Sequence, residues 1–451
     1  MARTTPRDGV ISTTPRDTVR ELQRTLYRAA KADPNRRSHA LSDKLYRRDV
    51  LERAWAKVRA SGGAAGIDRT TLADVERHGI GRLLDELDED LRAKRYRPLP
   101  GRRVWIPKPG SEQGRPLAIP AVRDRIVQAA LKLVLEPIFE ADFRPSSFGF
   151  RPGRAPHDAL QVLIDEAWRG RHWVVETDIA SCFEAIPHDR LVRAVERRVS
   201  DGAVLGLLRA FLRAGVMEEG TVRRPVTGTP QGGVISPLLA NVYLHALDVA
   251  WERRGRGVLV RYADDLVVMC RTAAEAEAAL GTLRVLLAEL GLAPNEVKTR
   301  IVHVTEGGEG FDFLGFEHHW VRGRRPRTRH VTFLARWPSR KAMAHARERL
   351  RELTARERQR LSVEQVVQEV NRFLLGWAAY SRHGNSARYF DLITDHARQR
   401  LAIFLATRRA WSRRQGWVVA SRSGWLGLVS LRGTVASPRP NRGWRVAGCR
   451  R

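Results

Sequence analysis

The feature that most constrains this sequence is a pair of adjacent aspartates, Asp264 and Asp265, between two short apolar runs in VLVRYADDLVVMC at 258–270. Apolar runs of this kind enter a packed core, where an unpaired carboxylate costs several kcal/mol. The spacing predicts a tight hairpin with the acids at its tip. One interpretation is a surface turn, since Asp is common in turns. The other is a site where bound cations offset the repulsion between the two acids.

A third carboxylate, Asp178, ends the apolar run HWVVETDI at 172–179, which predicts a buried strand. Carboxylates at the ends of neighbouring strands can share divalent cations, and Mg²⁺ prefers oxygen ligands together with substrate phosphates. Two such ions about 3.5–4 Å apart stabilise both the attacking and the leaving oxygen of a phosphoryl transfer. We therefore predict that Asp178, Asp264 and Asp265 hold two Mg²⁺ ions against a nucleoside triphosphate.

The charge balance indicates a polyanionic partner. Eighty Lys and Arg face 50 Asp and Glu, which gives a formal net charge of +30. Nucleic acid is the usual partner of such a chain, although a merely basic surface is the alternative. Three scattered cysteines favour neither a disulfide framework nor a zinc ribbon. With no signal peptide and no apolar run of membrane-spanning length, we expect a soluble cytoplasmic protein that is not associated with a membrane.

Hydrophobic periodicity predicts an α+β middle and a basic, mostly α-helical carboxyl third that begins near residue 335. A hairpin is predicted over 102–120, and further strands are predicted in TRIVHV and FDFLGFEHHW. The predicted helices cover 21–31, 49–63, 71–95, 122–143 with an interruption at Pro137, 186–199, 236–254, 272–291, 338–360, 363–381 and 387–411.

Several ordered motifs resemble those of one enzyme family. VRYADDLVV resembles the YxDD box of reverse transcriptases, and VETDIASCFEAIPHDRL resembles their first catalytic motif. TGTPQGGVISPLLANVYLHALD is similar to the corresponding segment of group II intron-encoded reverse transcriptases. IPKPGSEQGRPLAIP and SFGFRPGRAPHDAL resemble the fingers motifs, while GLAPNEVKTRIV and FDFLGF resemble two later palm motifs. The resemblance runs from about 40 to 335 and implies a right-hand polymerase fold.

The resemblance also implies a division into domains. We expect a disordered or weakly structured leader (1–38), an N-terminal extension with fingers (39–170), a palm with the catalytic site (171–335), a mostly α-helical thumb and maturase domain (336–411) and a short basic nucleic-acid-binding tail (412–451). The tail contains no His, one Asn and one Cys, so it lacks the clustered His, Asn and paired Cys residues of an HNH nuclease, and we expect no endonuclease domain.

The family match implies roles for individual residues. Asp178 and Asp264 would bind both metal ions, Asp265 would assist, and Ile179 would offer its backbone carbonyl. Phe183 would lie under the sugar and favour dNTPs, unless it is an ordinary core residue. Lys108 and Arg115 would contact the triphosphate, unless they are solvated loop charges, and Gln231 would contact the nucleotide or its template. Lys298 would lie near the pyrophosphate as a proton donor, unless it forms a structural salt bridge.

FLLGWAAYSRHGNSARYF at 373–390 resembles domain X, which binds intron RNA in this family. Arginines recur here between aromatic residues, a pattern typical of phosphate contacts and base stacking. The alternative is that the aromatic rings form the thumb core and the arginines a solvated face. The candidate RNA-binding residues are Arg372, Trp377, Tyr380, Arg382, Arg388, Arg398, Arg408 and Arg409.

The sequence thus predicts an RNA-directed DNA polymerase that binds its group II intron RNA and assists splicing and retrohoming. The expected partners are the intron RNA, an RNA template, a DNA primer or target and dNTPs, with a homodimer as one option. Two alternatives stay open. One is a splicing maturase with weak or lost polymerase activity, and the other is a domesticated relative such as a CRISPR-associated or defence reverse transcriptase.

Overall fold

The computed structural model describes residues 15–107, 114–218, 221–223, 227–228, 232–324, 326–409, 412, 414–415, 417–418 and 427–436. The chain forms two compact units. The first comprises Met1–Gly153, Ile179–Arg254 and Arg284–Pro294, and the second comprises Arg154–Asp178, Gly255–Leu283 and Asn295–Arg451.

The described segments combine helices and strands. The helices are α1 (Pro15–Ala32), α2 (Ser42–Leu45), α3 (Arg48–Ser61), α4 (Leu72–His78), α5 (Ile80–Arg92), α6 (Val122–Glu140), α7 (Pro156–Trp168), α8 (Cys182–Ala185), α9 (His188–Glu196), α10 (Gly202–Arg213), α11 (Ser236–Arg254), α12 (Ala273–Glu289), α13 (Arg340–Leu353), α14 (Val363–Ser381) and α15 (Ala387–Arg408). The strands are β1 (Gly101–Pro107), β2 (Gly114–Ile119), β3 (Trp173–Asp178), β4 (Val216–Glu218), β5 (Thr221–Arg223), β6 (Val258–Tyr262), β7 (Asp265–Cys270), β8 (Arg300–His303), β9 (Phe311–Phe313), β10 (Phe316–Arg322) and β11 (Thr332–Pro338).

The second unit contains the sheet that carries the predicted acids. Its strands lie in the order β6-β7-β3-β8, and each neighbouring pair is antiparallel. Val174, Val175, Val267 and Val268 are fully buried, which explains why these runs have the pattern of buried strands. The strand predicted over 172–179 and the hairpin predicted over 258–270 are therefore confirmed.

A second sheet of the same unit has the order β11-β10-β9. The stretch FDFLGFEHHW, predicted as strand, is in fact the two strands β9 and β10. They are joined by Leu314 and Gly315, whose φ angles are 50° and 75°. Two successive positive φ angles close a tight hairpin that matches the twist of its strands. Because apolar residues flank the turn on both sides, periodicity alone could not locate it.

The first unit contains the sheet β2-β1-β4-β5, so the predicted hairpin over 102–120 is confirmed as β1–β2. Helix α6 forms the centre of this unit and packs against α1 and α3. The predicted interruption of this helix at Pro137 is wrong, because α6 continues through it. Proline removes the hydrogen bond to the carbonyl four residues earlier. The side-chain amide of Gln23 donates to that carbonyl, of Leu133, at 3.0 Å.

Two other helix predictions needed correction in this unit. The helix predicted over 71–95 is split into α4 and α5 by Gly79, which has a φ of 94°. Glycine reaches that conformation without the steric cost of a Cβ atom. Helix α1 begins at Pro15, so it is longer than the predicted 21–31 and lies within the segment expected to be weakly structured.

The carboxyl third is mostly helical, as predicted. Helix α14 has the predicted bounds, while α13 ends at Leu353 and α15 ends at Arg408. The core of the three helices includes Leu350, Val370 and Leu401, each with no exposed surface. The α+β class with a helical carboxyl third is thereby confirmed. None of the helices in the described segments is both long and apolar enough to span a bilayer.

Candidate active site

The strands that carry Asp178 and Asp265 are hydrogen-bonded neighbours, and these two residues lie directly opposite one another in the register of β3 and β7. Directly opposite residues of an antiparallel pair project to the same face, with Cβ atoms about 4.5–5.5 Å apart. The fold therefore brings together two acids that are distant in the sequence.

Asp264 lies in the two-residue turn between β6 and β7, directly after Ala263. Ala263 has a φ of 58°, a left-handed conformation that costs a residue with a Cβ atom roughly 1–2 kcal/mol. The Nη1 group of the buried Arg261 donates to the carbonyl oxygen of Ala263 at 3.0 Å. This bond supports the turn that presents Asp264. Sequence reasoning missed Arg261, although a charged residue inside the apolar run VLVRY was a signal.

The carboxylates influence one another electrostatically. Although Asp265 is exposed, partial loss of water and then the negative charges of Asp264 and Asp178 raise its pKa to about 6. The Oδ1 atom of Asp178 is buried without a hydrogen-bond partner among the described residues. A buried carboxylate oxygen without a donor is a position at which a cation can be accommodated.

Lys298 supplies a positive charge at this site. Its ammonium forms an ion pair with Oδ2 of Asp178. The turn that carries Lys298 is tied to the same strand, because the N–H group of Asn295 donates to the carbonyl oxygen of Asp178 at 2.8 Å. The hydroxyls of Thr177 and Thr299 lie 2.7 Å apart and add a second link. The structure therefore brings Lys298 to Asp178.

Glu176 extends the acidic face of β3, since it lies two residues before Asp178. Nη2 of Arg300, on β8, forms an ion pair with Oε2 of Glu176 at 2.8 Å. Burial raises the pKa of Glu176, and the charge of Arg300 opposes this shift. Sequence reasoning missed this pair, although the two-residue period of a strand places Glu176 on the same face as Asp178.

The donor set suits a hard divalent ion, because it consists of carboxylate oxygens, one of which has no hydrogen-bond partner in the described part of the chain. Within the described ranges, however, no group of three or more His, Cys, Asp or Glu side chains is arranged to hold a metal ion together. The structure places Asp178 and Asp265 together with Asp264 in the adjoining turn. Shared coordination of an ion by all three stays a prediction.

The predicted nucleotide contacts have different outcomes. Lys108 and Gln231 lie outside the described residues, and of Arg115 only the backbone is described, paired with Ile106 in the β1–β2 hairpin. Ile179 is buried, and its backbone pairs with Pro294. Phe183 lies in the short helix α8 and is half-buried, so it is not a fully enclosed core residue.

The candidate RNA-binding residues of α14 and α15 divide into two groups. The arginines at 372, 382 and 388 are exposed, and within the described ranges their side chains form no hydrogen bond or ion pair. The other candidates have interactions with the protein itself: Trp377 packs on Phe390, Tyr380 donates to Leu314, Arg398 pairs with Asp395, Arg408 donates to Leu361, and Arg409 is the C-cap of α15. The structure thus favours a core role for Trp377.

Comparison with known sequences gives two family matches. The family model described as reverse transcriptase (RNA-dependent DNA polymerase) matches residues 106–318. The model described as group II intron, maturase-specific domain matches residues 343–422. The two matches cover the acid-bearing sheet and most of the helical carboxyl third.

Individual relatives show the same similarity. Protein YkfC of Escherichia coli (strain K12) is 37% identical over 68% of this chain and 89% of that protein. The group II intron-encoded protein LtrA of Lactococcus lactis subsp. cremoris is 37% identical over 45% of this chain but only 34% of that protein. A solved structure, the partial Cas6-RT-Cas1–Cas2 complex, is 24% identical with a TM-score of 0.35 over 56% of this chain and 42% of that chain. A TM-score this low supports no inference.

Proposed function

The chain belongs to the reverse transcriptases of group II introns, and from this membership we propose that it extends a DNA primer on an RNA template with dNTPs and assists splicing and retrohoming of its intron RNA. The observation that carries the proposal is the cross-strand pair of Asp178 and Asp265 beside the turn that presents Asp264. The three acids lie at one end of a sheet whose strands are largely buried, where unneutralised negative charge is costly.

Two Mg²⁺ ions are the proposed cofactors, held by the carboxylates of Asp178, Asp264 and Asp265 and the backbone carbonyl of Ile179. When bound, the ions supply charge neutralisation for the attacking and leaving oxygens of phosphoryl transfer. The buried, unpartnered Oδ1 atom of Asp178 and the raised pKa of Asp265 support this assignment. Both features place unfavourable negative charge where a cation would relieve it.

For the nucleotide, we propose that Lys108 and Arg115 contact the triphosphate and that Gln231 contacts the base pair that forms. Phe183 excludes a ribose 2′-hydroxyl, and its half-buried ring supports this role. Lys298 protonates the leaving pyrophosphate. Its ion pair with Asp178 shows that the ammonium can reach the acidic cluster.

For the RNA, we propose that the exposed arginines at 372, 382 and 388 bind phosphates of the intron, because their guanidinium groups are not engaged by the protein in the described segments. The match to the maturase domain supports this location. The domain division predicted above and a location beside the bacterial nucleoid are part of the same proposal.

The test is primer extension on poly(rA)/oligo(dT) with Mg²⁺ and dTTP. Asp264→Asn preserves shape but removes a charge, and we expect extension to fall by at least about 10³-fold, as for loss of a metal ligand. Glu309→Gln is the matched control, since Glu309 is an exposed acid with no bond to another described residue. Intron RNA binding by a wild-type protein that extends no primer would contradict the polymerase proposal and support a maturase alone.

A further inference from the structure

The connection between α14 and α15, with the sequence RHGNS at 382–386, belongs to the stretch assigned above to RNA binding. We propose that this connection and Tyr380 form a latch that fixes helices α14 and α15 to β11. By holding these helices in place, the latch keeps the primer–template bound between successive nucleotide additions. The latch is defined as residues 380–386 together with Arg336. The inference rests on the polymerase function proposed above.

The connection binds β11 along the edge that no other described strand covers. In the sheet order β11-β10-β9, β11 pairs with β10 alone among the described strands. The N–H group of Asn385 donates to the carbonyl oxygen of Arg336 at 2.6 Å, and the N–H group of Arg336 donates to Oδ1 of Asn385 at 3.3 Å. These bonds engage the backbone groups that an edge strand leaves unpaired. The connection therefore docks on the edge of β11 through one backbone bond and one bond to a side chain.

The side chain of Arg336 adds a directional bond to the same connection. Its Nε group donates to the carbonyl oxygen of His383 at 2.6 Å. Arg336 is 2% exposed, its Nη1 group lacks a partner among the described residues, and burial lowers its pKa to about 10. A buried guanidinium with unsatisfied donors is a poor source of stability, and apolar side chains often replace such groups without loss. What an apolar side chain could not supply is the fixed bond to the connection.

Tyr380 anchors the other end of the latch. Its hydroxyl donates to the carbonyl oxygen of Leu314 at 2.8 Å. Its ring lies 5.1 Å from that of His157 and 5.5 Å from that of Phe316, measured between centroids. Leu314 is one of the two residues that close the β9–β10 turn. The end of α14 is therefore attached to β10 as well as to β11.

The consequence for activity follows from what the latch connects. Helices α14 and α15 carry the exposed arginines at 372 and 388, while α7 packs against both β11 and β6 of the acid-bearing sheet. A firm bond between the helices and β11 therefore holds these arginines, which can bind phosphates of the primer–template as well as those of the intron RNA, at a set distance from Asp178. If the latch opens, the helices can move away and release the duplex, although the acids themselves are unchanged.

Gly384 offers a sharp test. A Cβ atom added there would lie 2.7 Å from the carbonyl oxygen of Arg336, which is closer than packed atoms approach. Gly384→Ala must push the connection away from β11. Gly281→Ala is the matched control, because an added Cβ on this exposed residue of α12 meets nothing within 4 Å. Arg336→Lys is the second variant, which keeps the charge but loses the Nε bond.

The experiment measures the number of nucleotides added per binding event, with a trap that captures released enzyme. This number does not depend on the fraction of folded protein, so a loss of stability alone leaves it unchanged. We expect Gly384→Ala and Arg336→Lys to shorten the products about five-fold, as for loss of one net hydrogen bond, with single-nucleotide addition by preformed complexes within about two-fold of wild type. Product lengths equal to those of Gly281→Ala would overturn the proposal.

Hydrogen exchange on the wild-type protein provides a measurement that needs no variant. The N–H group of Asn385 should exchange as slowly as those of β11, although the residue itself is exposed. Exchange at the rate of an open loop would refute the latch even if the variants fail to fold. If the wild type extends no primer but this protection is found, the polymerase proposal fails and the docking of the connection stands.

Discussion

The acidic site should destabilise the protein that carries it, and this can be measured with Asp265→Asn. The pKa of Asp265 is raised from 3.8 to about 6, chiefly by partial loss of water and by the charges of Asp264 and Asp178. A raised pKa means that the ionised carboxylate is less favourable in the folded protein than in the unfolded chain. Removal of the charge, without a change of shape, should therefore stabilise the fold at neutral pH.

The size of the effect follows from the shift. Each pKa unit corresponds to about 1.36 kcal/mol, so a shift from 3.8 to about 6 has an upper limit of roughly 3 kcal/mol. Asp265 is exposed, and water screens its interactions with the neighbouring acids. We therefore expect a gain of about 1 kcal/mol in the free energy of unfolding, the scale of exposed charge interactions.

The raised pKa of Asp265 also determines whether stability rises or falls with pH. Between the unfolded pKa of 3.8 and the folded pKa of about 6, the folded protein binds more protons at this position than the unfolded chain. The wild type consequently loses more stability than Asp265→Asn as the pH rises through this window, because the variant lacks this carboxylate. The difference between the two proteins should be near zero at pH 4 or below and reach its plateau above pH 7.

The assay is urea unfolding across this pH range in EDTA, repeated with Mg²⁺, because an uncharged denaturant does not screen the acids from one another. Ligands that bind only the folded state stabilise it, so Mg²⁺ should raise the stability of the wild type more than that of Asp265→Asn. Glu309→Gln again serves as the control for loss of one exposed acid. An Asp265→Asn protein that is less stable than the wild type at pH 7, or a difference that does not vary with pH, would refute the reasoning.

Three further predictions concern the nucleotide and the RNA. Lys298→Met should lower the rate of single-turnover nucleotide addition by at least about 10²-fold and remove the alkaline limb of the pH–rate profile, as expected for loss of a general acid. An unchanged profile would mean that Lys298 forms only a structural ion pair with Asp178. Phe183→Ala should reduce discrimination against rNTPs by at least about ten-fold in competition assays, and unchanged selectivity would make the ring a packing residue. Replacement of both Arg372 and Arg388 by Gln should lower the slope of log Kd for structured RNA against log salt by about two, and an unaltered slope would show that neither contacts a phosphate.

The sequence alone was sufficient to predict several local elements and to single out the three acids. Apolar runs predicted β3, β6 and β7, because a strand buried on both faces shows a continuous apolar pattern. The helices α3 and α11 were predicted within one or two residues of their bounds. The order and spacing of the motifs identified the family, because a shared fold requires particular residues at particular positions along the chain.

Only the tertiary structure revealed the features that depend on contacts between distant residues or on the backbone angle of a single residue. Pro137 did not end α6, because Gln23 from another helix satisfies the freed carbonyl. Gly79 splits one predicted helix, and the Leu314–Gly315 turn splits one predicted strand. Hydrophobic periodicity did not reveal either break, because a positive φ angle leaves the apolar pattern of the sequence unchanged. Periodicity reports which face is buried and does not report where the chain reverses.

The same division applies to the site. The sequence identified Asp178, Asp264 and Asp265 as unusual, because charge beside apolar runs is costly. The register that sets Asp178 against Asp265, the support of Ala263 by Arg261 and the ion pair between Asp178 and Lys298 depend on strand pairing, which no local pattern encodes. The connection after α14 was assigned to RNA from its motif, and its bonds to the edge of β11 became visible only once the sheet order was known.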